Sequence, residues 1–224
     1  GTDSMINPMG IAGFSRIGAM TEKNNTPEQA SMPFNLDRDG FVIGEGSGFL
    51  VLESYASAKK RKAKILGMIS GQGNSLDAYS ISDPHPEGKG AALAMTRALE
   101  SANISPKDIS AISAHATGTP KNDEMESKAV SEIFPANPYV SSTKPLIGHC
   151  LGAAGGLEIG LCALTIGNLN TKKSIPPHHW DGEFDPELPK LNLVGDTQNL
   201  ETSICMSNSY AFGGNNASII IGKS

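Results

Sequence analysis

Strand-like and helix-like runs alternate along this chain, and that alternation predicts an α/β fold with parallel crossovers. The sharpest evidence lies between residues 111 and 149. Ala111-Ile112-Ser113-Ala114-His115 and Val140-Ser141-Ser142-Thr143 read as short strands that lead to His115 and His149. Between them Asp123 to Phe134 reads as a helix, capped by Asn122, with Met125, Ala129, Val130, Ile133 and Phe134 on one apolar face. Strand, helix and strand in that order form a right-handed crossover unit. Ligands collect at the carboxyl ends of the strands in open parallel sheets, which is where both histidines would sit.

The other elements follow from the same periodicities. Asn7 to Met20 is apolar and carries Gly10, Gly13 and Gly18, and Thr21 to Asp39 is a polar loop with prolines. Gly48 to Glu53 reads as a strand, Ser54 to Lys62 as a helix, Ile65 to Ser70 as a strand and Gly71 to Gly88 as a loop. Lys89 to Ala102 repeats a helical spacing through Ala92, Leu93, Met95, Thr96 and Leu99. Leu151 to Ile166 is apolar nearly all round, so it is expected to be a central helix covered on every side. Its single charge is Glu158. Thr202 to Ser207 and Ala217 to Gly222 then read as two strands around a turn from Asn208 to Asn216.

Composition narrows the function classes. A chain of 224 residues buries one large core or two small ones. The net charge of −5 offers no basic field to nucleic acid or to an anionic membrane, and no apolar run is long enough to span a bilayer. The first residues do not form a signal peptide. Cys150, Cys162 and Cys205 are odd in number and lie in apolar or glycine-rich stretches, the pattern of free thiols in a reducing, cytoplasmic compartment.

Several small motifs carry less than they first suggest. Gly44-Glu45-Gly46-Ser47-Gly48 resembles a dinucleotide fingerprint, but Phe49 stands where the third glycine belongs and a strand is expected to follow. His178-His179 has no cysteine or histidine partner at zinc spacing and reads as a solvated loop, so no metal site is expected. The run from Lys59 to Lys64 is the cationic end of a helix. Gly148-His149-Cys150-Leu151-Gly152 has the shape of a nucleophile elbow, which needs an acid and then a histidine later in the chain. The only acid between Cys150 and the later histidines is Glu158, on the helix the elbow would start, so Cys150 reads as a small apolar turn residue.

Three blocks taken together are far more specific. They are His115-Ala116-Thr117-Gly118-Thr119-Pro120; Ser142-Thr143-Lys144 through Gly148-His149 to Gly152-Ala153-Ala154-Gly155 and Glu158; and Asn208-Ser209-Tyr210-Ala211-Phe212-Gly213-Gly214-Asn215-Asn216. With Asp37-Arg38-Asp39-Gly40-Phe41-Val42, the Gly44 to Gly48 run and Ser75-Leu76-Asp77-Ala78-Tyr79, the chain resembles the carboxyl-terminal half of elongating β-ketoacyl-acyl-carrier-protein synthases. The resemblance implies a thiolase-type fold, here the carboxyl-terminal half of a duplicated αβαβα layered architecture. Residues 1–60 would end the amino-terminal half and connect it, and 61–224 would form the carboxyl-terminal half.

The implied activity is a decarboxylative Claisen condensation of malonyl-carrier protein with an acyl-enzyme thioester, in fatty-acid or related acyl-chain synthesis. The implied nucleophile is a cysteine in the amino-terminal half, upstream of residue 1. His115 and His149 match the family's pair that stabilises the enolate. Lys144 and Glu158 match its supporting residues, and a lone carboxylate on an apolar helix needs such a partner. Phe212 matches the oxyanion-hole and gating position, Thr117 and Thr119 the hydroxyls on the pantetheine arm, and Phe14 an acyl-pocket position. Gly213 and Gly214 would let the turn approach substrate closely. No resident cofactor is implied, since the phosphopantetheine arm enters with the substrate. The implied partners are acyl carrier protein, the amino-terminal half, and a second subunit in a homodimer or heterodimer. The competing class is a non-catalytic, chain-length-factor type subunit, against which the retained His115, His149, Lys144 and Glu158 argue. Departures from the family pattern are Ala116 for glycine, Tyr210-Ala211 for Phe-Gly and Asn215 for threonine, and a methyl or hydroxyl there in the cleft would alter substrate preference.

Overall fold

A computed structural model describes residues 1–24, 26–195 and 200–223. The first segment contributes β1 (Thr2–Ser4), α1 (Pro8–Arg16), β2 (Glu45–Ser47) and α2 (Tyr55–Lys60), with β1 and β2 paired antiparallel. Asn7 caps α1 by accepting the Gly10 N–H at 3.0 Å, and Ser54 caps α2 in the same way through Ser57. There follow β3 (Met68–Leu76), α3 (Lys89–Ala102), β4 (Ala111–Ser113), α4 (Pro120–Ile133), β5 (Tyr139–Ser141), α5 (Lys144–Ile147), α6 (Ala154–Ile166), β6 (Asn192–Leu193), β7 (Ile204–Ala211) and β8 (Asn215–Gly222). One sheet orders the strands β3-β8-β7-β4-β5-β6. Its β4 runs parallel to both β5 and β7, while β8 runs antiparallel to β7 and β3.

Period-two alternation builds the layers. Ile112, Met206 and Ile220 point to one face, where they meet Met95, Ala98 and Leu99 of α3 and Met125, Ala129 and Val130 of α4. Their chain neighbours Ala111, Cys205 and Ile221 point to the other face, against Cys162, Ala163 and Ile166 of α6. Helices therefore cover both faces of the sheet. Each large apolar side chain buried in this way contributes about 1.5–3 kcal/mol.

Four expectations need correction. Residues 48–53 form no strand: Gly48 pairs with Gly1, but residues 49–52 make no backbone hydrogen bond to any described residue, and Phe49 and Val51 are 85% and 89% exposed. The strand expected at 65–70 begins at Met68 and runs to Leu76, through glycines that read as loop. Those glycines serve packing: a Cβ on Gly71 or Gly73 would lie 2.3 Å from the Ala98 oxygen or 2.0 Å from the Ala94 oxygen, so α3 rests directly on β3. The last hairpin is longer than expected, since Asn208 to Ala211 belong to β7 and only Phe212 to Gly214 turn. Finally, Leu151–Ala153 is a 3₁₀ turn, and α6 keeps Leu164 exposed with Leu157 and Leu161 half-buried on the same strip, so this chain does not cover it on every side.

The close approach of α3 to β3 predicts that Gly73→Ala costs about 1–3 kcal/mol, the range for overpacking. Chemical denaturation measures it, and an unchanged midpoint would show that α3 shifts freely.

Candidate active site

The cleft lies where β4 and β7 end, a space of about 830 Å³ whose lining includes His115, His149, Thr117, Thr119, Phe14, Phe41, Tyr210 and Phe212. Two carboxylates of α4 shape its floor. Glu126, fully buried, accepts the His115 and Ala116 N–H groups at 2.8 and 2.7 Å. Asp123 accepts the Gly118 N–H at 3.2 Å and, from the first segment, the Phe34 N–H at 2.8 Å. Between these anchors the backbone takes left-handed conformations at Ala116 and Gly118, φ 39° and 82°. Burial pushes the Glu126 carboxyl up to about 7 and that of Asp123 up to about 6, against the opposing pull of these N–H bonds. The cap of α4 is Thr119 and not Asn122, whose amide instead donates to Asp123 at 3.1 Å, because the helix starts three residues early at Pro120.

His149 is held by the first segment. Its N–H donates to Val42 at 2.7 Å and its carbonyl accepts from Gly44 at 3.0 Å. Here the Gly44 to Gly48 motif finds its use. A Cβ on Gly44 would lie 2.3 Å from the Ile147 oxygen, one on Gly48 2.9 Å from Gly156, and Gly46 faces the Leu157 side chain. The spacing that resembles a nucleotide fingerprint lets an extended segment lie against the 147–157 backbone.

The two imidazoles meet edge to face, with centroids 5.3 Å apart, and His115 also meets Tyr210 at 5.6 Å. Phe41 packs on His149 at 5.2 Å and on Phe14 at 5.5 Å. Burial, then the nearby Lys144 charge, lowers the His149 pKa to about 3, and burial holds His115 well below the usual histidine range. Both rings are therefore neutral at pH 7. The Leu151 N–H donates to His149 Nδ1 at 3.3 Å, which makes Nδ1 the acceptor and leaves the proton on Nε2. His149 thus offers a fixed N–H donor. Behind the rings, Lys144 Nζ meets Glu158 Oε1 at 2.5 Å, with both side chains buried.

The structure brings His115, His149, Thr117, Thr119, Phe14 and Phe212 to one cleft and sets Lys144 and Glu158 behind it. The Thr117 and Thr119 hydroxyls lie 2.9 Å apart. Gly213 and Gly214 are outside the lining: Gly213 N–H donates to Ile81, Gly214 accepts from Asp77, and positive φ at both closes the turn. They approach the 77–81 loop. Ala116 is likewise a core residue, fully buried in the cluster that includes Met125 and outside the cleft lining. His178, expected in solvent, is buried, with Nε2 3.1 Å from the Pro33 oxygen and its ring tilted against Phe34 and edge to face with Trp180. Sequence reasoning missed Glu126, Asp123 and Phe41 as parts of the site, whereas Tyr210 and Ala211, read as departures in the cleft, do line it. For Glu126 a signal existed, since an acid three residues after Asp123 interrupts the apolar face of α4.

The six-stranded sheet with helices on both faces is the thiolase-type fold of the solved ketosynthases on which it superposes. The chain belongs to the β-ketoacyl synthase family: residues 66–179 match the family's C-terminal domain and residues 1–58 its N-terminal domain. It is 43% identical over 226 aligned positions to the mitochondrial 3-oxoacyl-[acyl-carrier-protein] synthase of Arabidopsis thaliana, covering 98% of this chain and 48% of that protein. It is 42% identical to 3-oxoacyl-[acyl-carrier-protein] synthase 2 of Staphylococcus aureus, covering all of this chain and 53% of that one. Among solved structures, the ishigamide ketosynthase/chain length factor superposes with a TM-score of 0.88 at 36% identity, over all of this chain and 53% of that chain. The ketosynthase ApeO, solved in complex with its chain length factor ApeC from Xenorhabdus doucetiae, superposes at 0.82 and 37% over all of this chain and 52% of that chain. The chain spans about half the length of the curated relatives it matches.

Two outcomes follow for the site. Lys144→Met leaves Glu158 buried without its partner and should destabilise the fold by about 3–5 kcal/mol, with Lys144→Met/Glu158→Leu recovering most of it in thermal or denaturant unfolding. No recovery in the double variant would show that the pair is not the source of the cost. An unfolded histidine takes its proton near pH 6.5, so the unfolded chain binds that proton before native His149 does. This group therefore weakens the fold progressively as pH falls from about 6.5 towards about 3. The ¹⁵N shifts of His149 should still report a neutral ring at pH 5.

Proposed function

We propose that this chain supplies the enolate-stabilising half of the active site of a β-ketoacyl-acyl-carrier-protein synthase. The observation that carries the reading is the neutral, edge-to-face pair His115 and His149, with the His149 proton fixed on Nε2 by Leu151. Loss of CO₂ from a malonyl thioester breaks the bond between the carboxylate and the α-carbon and leaves its electron pair as an enolate, with charge on the thioester oxygen. Preorganised N–H donors in a water-poor cleft stabilise that oxygen more than they stabilise the ground state. The enolate carbon then attacks the acyl thioester of an enzyme cysteine, forming the new carbon–carbon bond and expelling the thiolate.

In this reading the nucleophilic cysteine comes from the amino-terminal half of the family's duplicated fold. Cys150, Cys162 and Cys205 are all buried, and burial raises the Cys150 thiol pKa, the opposite of what activates a nucleophile. Thr117 and Thr119 hold the pantetheine arm, Phe14 borders the acyl chain, the turn at Phe212 forms the oxyanion donor and gate, and Lys144 with Glu158 keeps the histidine loop in place. Acyl carrier protein delivers both substrates and no resident cofactor takes part. A homodimeric or heterodimeric body accounts for the open strip of α6, and three unpaired thiols suit a cytoplasmic setting.

His115→Ala and His149→Ala, introduced into the full-length enzyme, should each lower malonyl decarboxylation by roughly 10²–10³-fold while the fold persists. Release of ¹⁴CO₂ measures this, and normal decarboxylation by either variant removes that histidine from the mechanism. Mass spectrometry of enzyme incubated with acyl-carrier protein should find no acyl group on Cys150, Cys162 or Cys205. An acyl adduct on any of them overturns the proposal.

A further inference from the structure

An ion pair joins two sides of the cleft at its mouth. Lys121, in the first turn of α4, reaches Asp83 of the 77–88 loop with Nζ 2.6 Å from Oδ2, and both residues line the cleft. Their side chains are 68% and 39% exposed, whereas both histidines are buried, so the pair marks the rim and the imidazoles the floor. The fold gives little reason for a lysine at this position. A cation in the first turn opposes the helix dipole, which favours acids there, and an exposed pair of this kind adds little stability. The cleft supplies a reason. Asp39, Asp77 and Asp83 line it, and Lys121 is the one cation among the described residues that do. Asp39 accepts from the Thr21 hydroxyl at 2.6 Å and the Glu22 N–H at 3.0 Å, and Asp77 from the Asn216 amide at 2.7 Å and the His85 N–H at 2.9 Å. The Asp83 carboxylate has Lys121 as its one partner among the described residues, so this contact can be exchanged without unpairing a buried group.

We propose that Lys121 binds the phosphate of the pantetheine arm, exchanging the Asp83 carboxylate for the phosphodiester as the arm enters. This deepens the condensing-enzyme reading and rests on it. In that reading the arm runs along Thr117 and Thr119, whose hydroxyls lie 2.9 Å apart just ahead of Lys121 in the chain. Its thioester end has to reach the buried imidazoles, which leaves the phosphate at the exposed rim where Lys121 stands. A phosphodiester is a monoanion with a pair of unesterified oxygens, so it replaces Asp83 charge for charge at the ammonium group. Without Lys121 the phosphate would meet carboxylates and no cation among the described lining residues, and like charges at the mouth repel.

The test compares malonyl-phosphopantetheine with malonyl-pantetheine as extender thioesters for the full-length enzyme, so that carrier-protein contacts do not contribute. In the native enzyme kcat/KM for the phosphorylated thioester should be roughly tenfold the higher, through KM, the scale of one charge-assisted contact at an exposed site. Lys121→Gln should erase most of that ratio, Lys121→Arg should keep it, and Asp83→Asn, which frees the lysine, should raise it. A ratio that survives Lys121→Gln, or falls in Asp83→Asn, overturns the proposal. Calorimetric binding of phosphopantetheine and pantetheine themselves reads the same contact without chemistry. A native enzyme that binds phosphopantetheine more tightly, loses that preference in Lys121→Gln and condenses neither thioester counts against the condensing reading alone. Equal affinities, or a preference that Lys121→Gln leaves intact, count against the role of Lys121.

Discussion

The buried contact between Lys144 and Glu158 is the interaction on which the rest of the site depends. Helix α6 carries no other charge, and the opposing lysine belongs to a four-residue helix that is too short to hold itself in place. Either charge alone in that interior would cost several kcal/mol, so each makes the other tolerable and the two elements are tied together. His149 follows α5 by two residues, so the tie anchors one end of the loop whose backbone Val42 and Gly44 then hold. The same lysine charge helps to keep both imidazoles unprotonated, and so one contact serves placement and protonation state at once.

The two histidines are held by different means. His115 sits on a loop whose amides are gathered by carboxylates of the following helix, an arrangement local in sequence and set by α4. His149 is held by backbone pairing to Val42 and Gly44, more than a hundred residues earlier. Residues 31–44 thus reach both halves of the cleft, through Phe34 to Asp123 and through Ile43 to His149. Displacing that one loop would disturb both rings.

Much of this was legible in the sequence, and the failures share a cause. Lys89–Ala102 matches its predicted bounds because a helical period there agrees with its tertiary neighbours. The two strand-to-histidine runs were readable because short apolar strands and loop glycines follow local rules. Gly71 and Gly73 misled because they answer to the backbone of α3, and Asn208 and Ser209 looked like turn residues although Asn208 is buried in β7, accepting from Ser218 at 2.8 Å. The acid on the apolar face of α4 marked Glu126 as a buried group, but which amides it would gather is set by tertiary placement and not by local pattern. For Phe41, a single aromatic in a polar and glycine-rich stretch, no signal in the sequence marked it as a neighbour of the histidine pair.

The segment Phe49-Leu50-Val51-Leu52 has a material consequence. It is a run of strand-forming apolar residues that makes no backbone hydrogen bond to any described residue and leaves Phe49, Val51 and Leu52 largely exposed. Such a run is a template for edge-to-edge association and, in a concentrated solution of this chain by itself, a seed for aggregation. Charge follows immediately: Glu53, engaged by Arg61, ends the apolar run as a gatekeeper does. Handling and solubility of the isolated chain will therefore be governed by four residues that take no part in its chemistry.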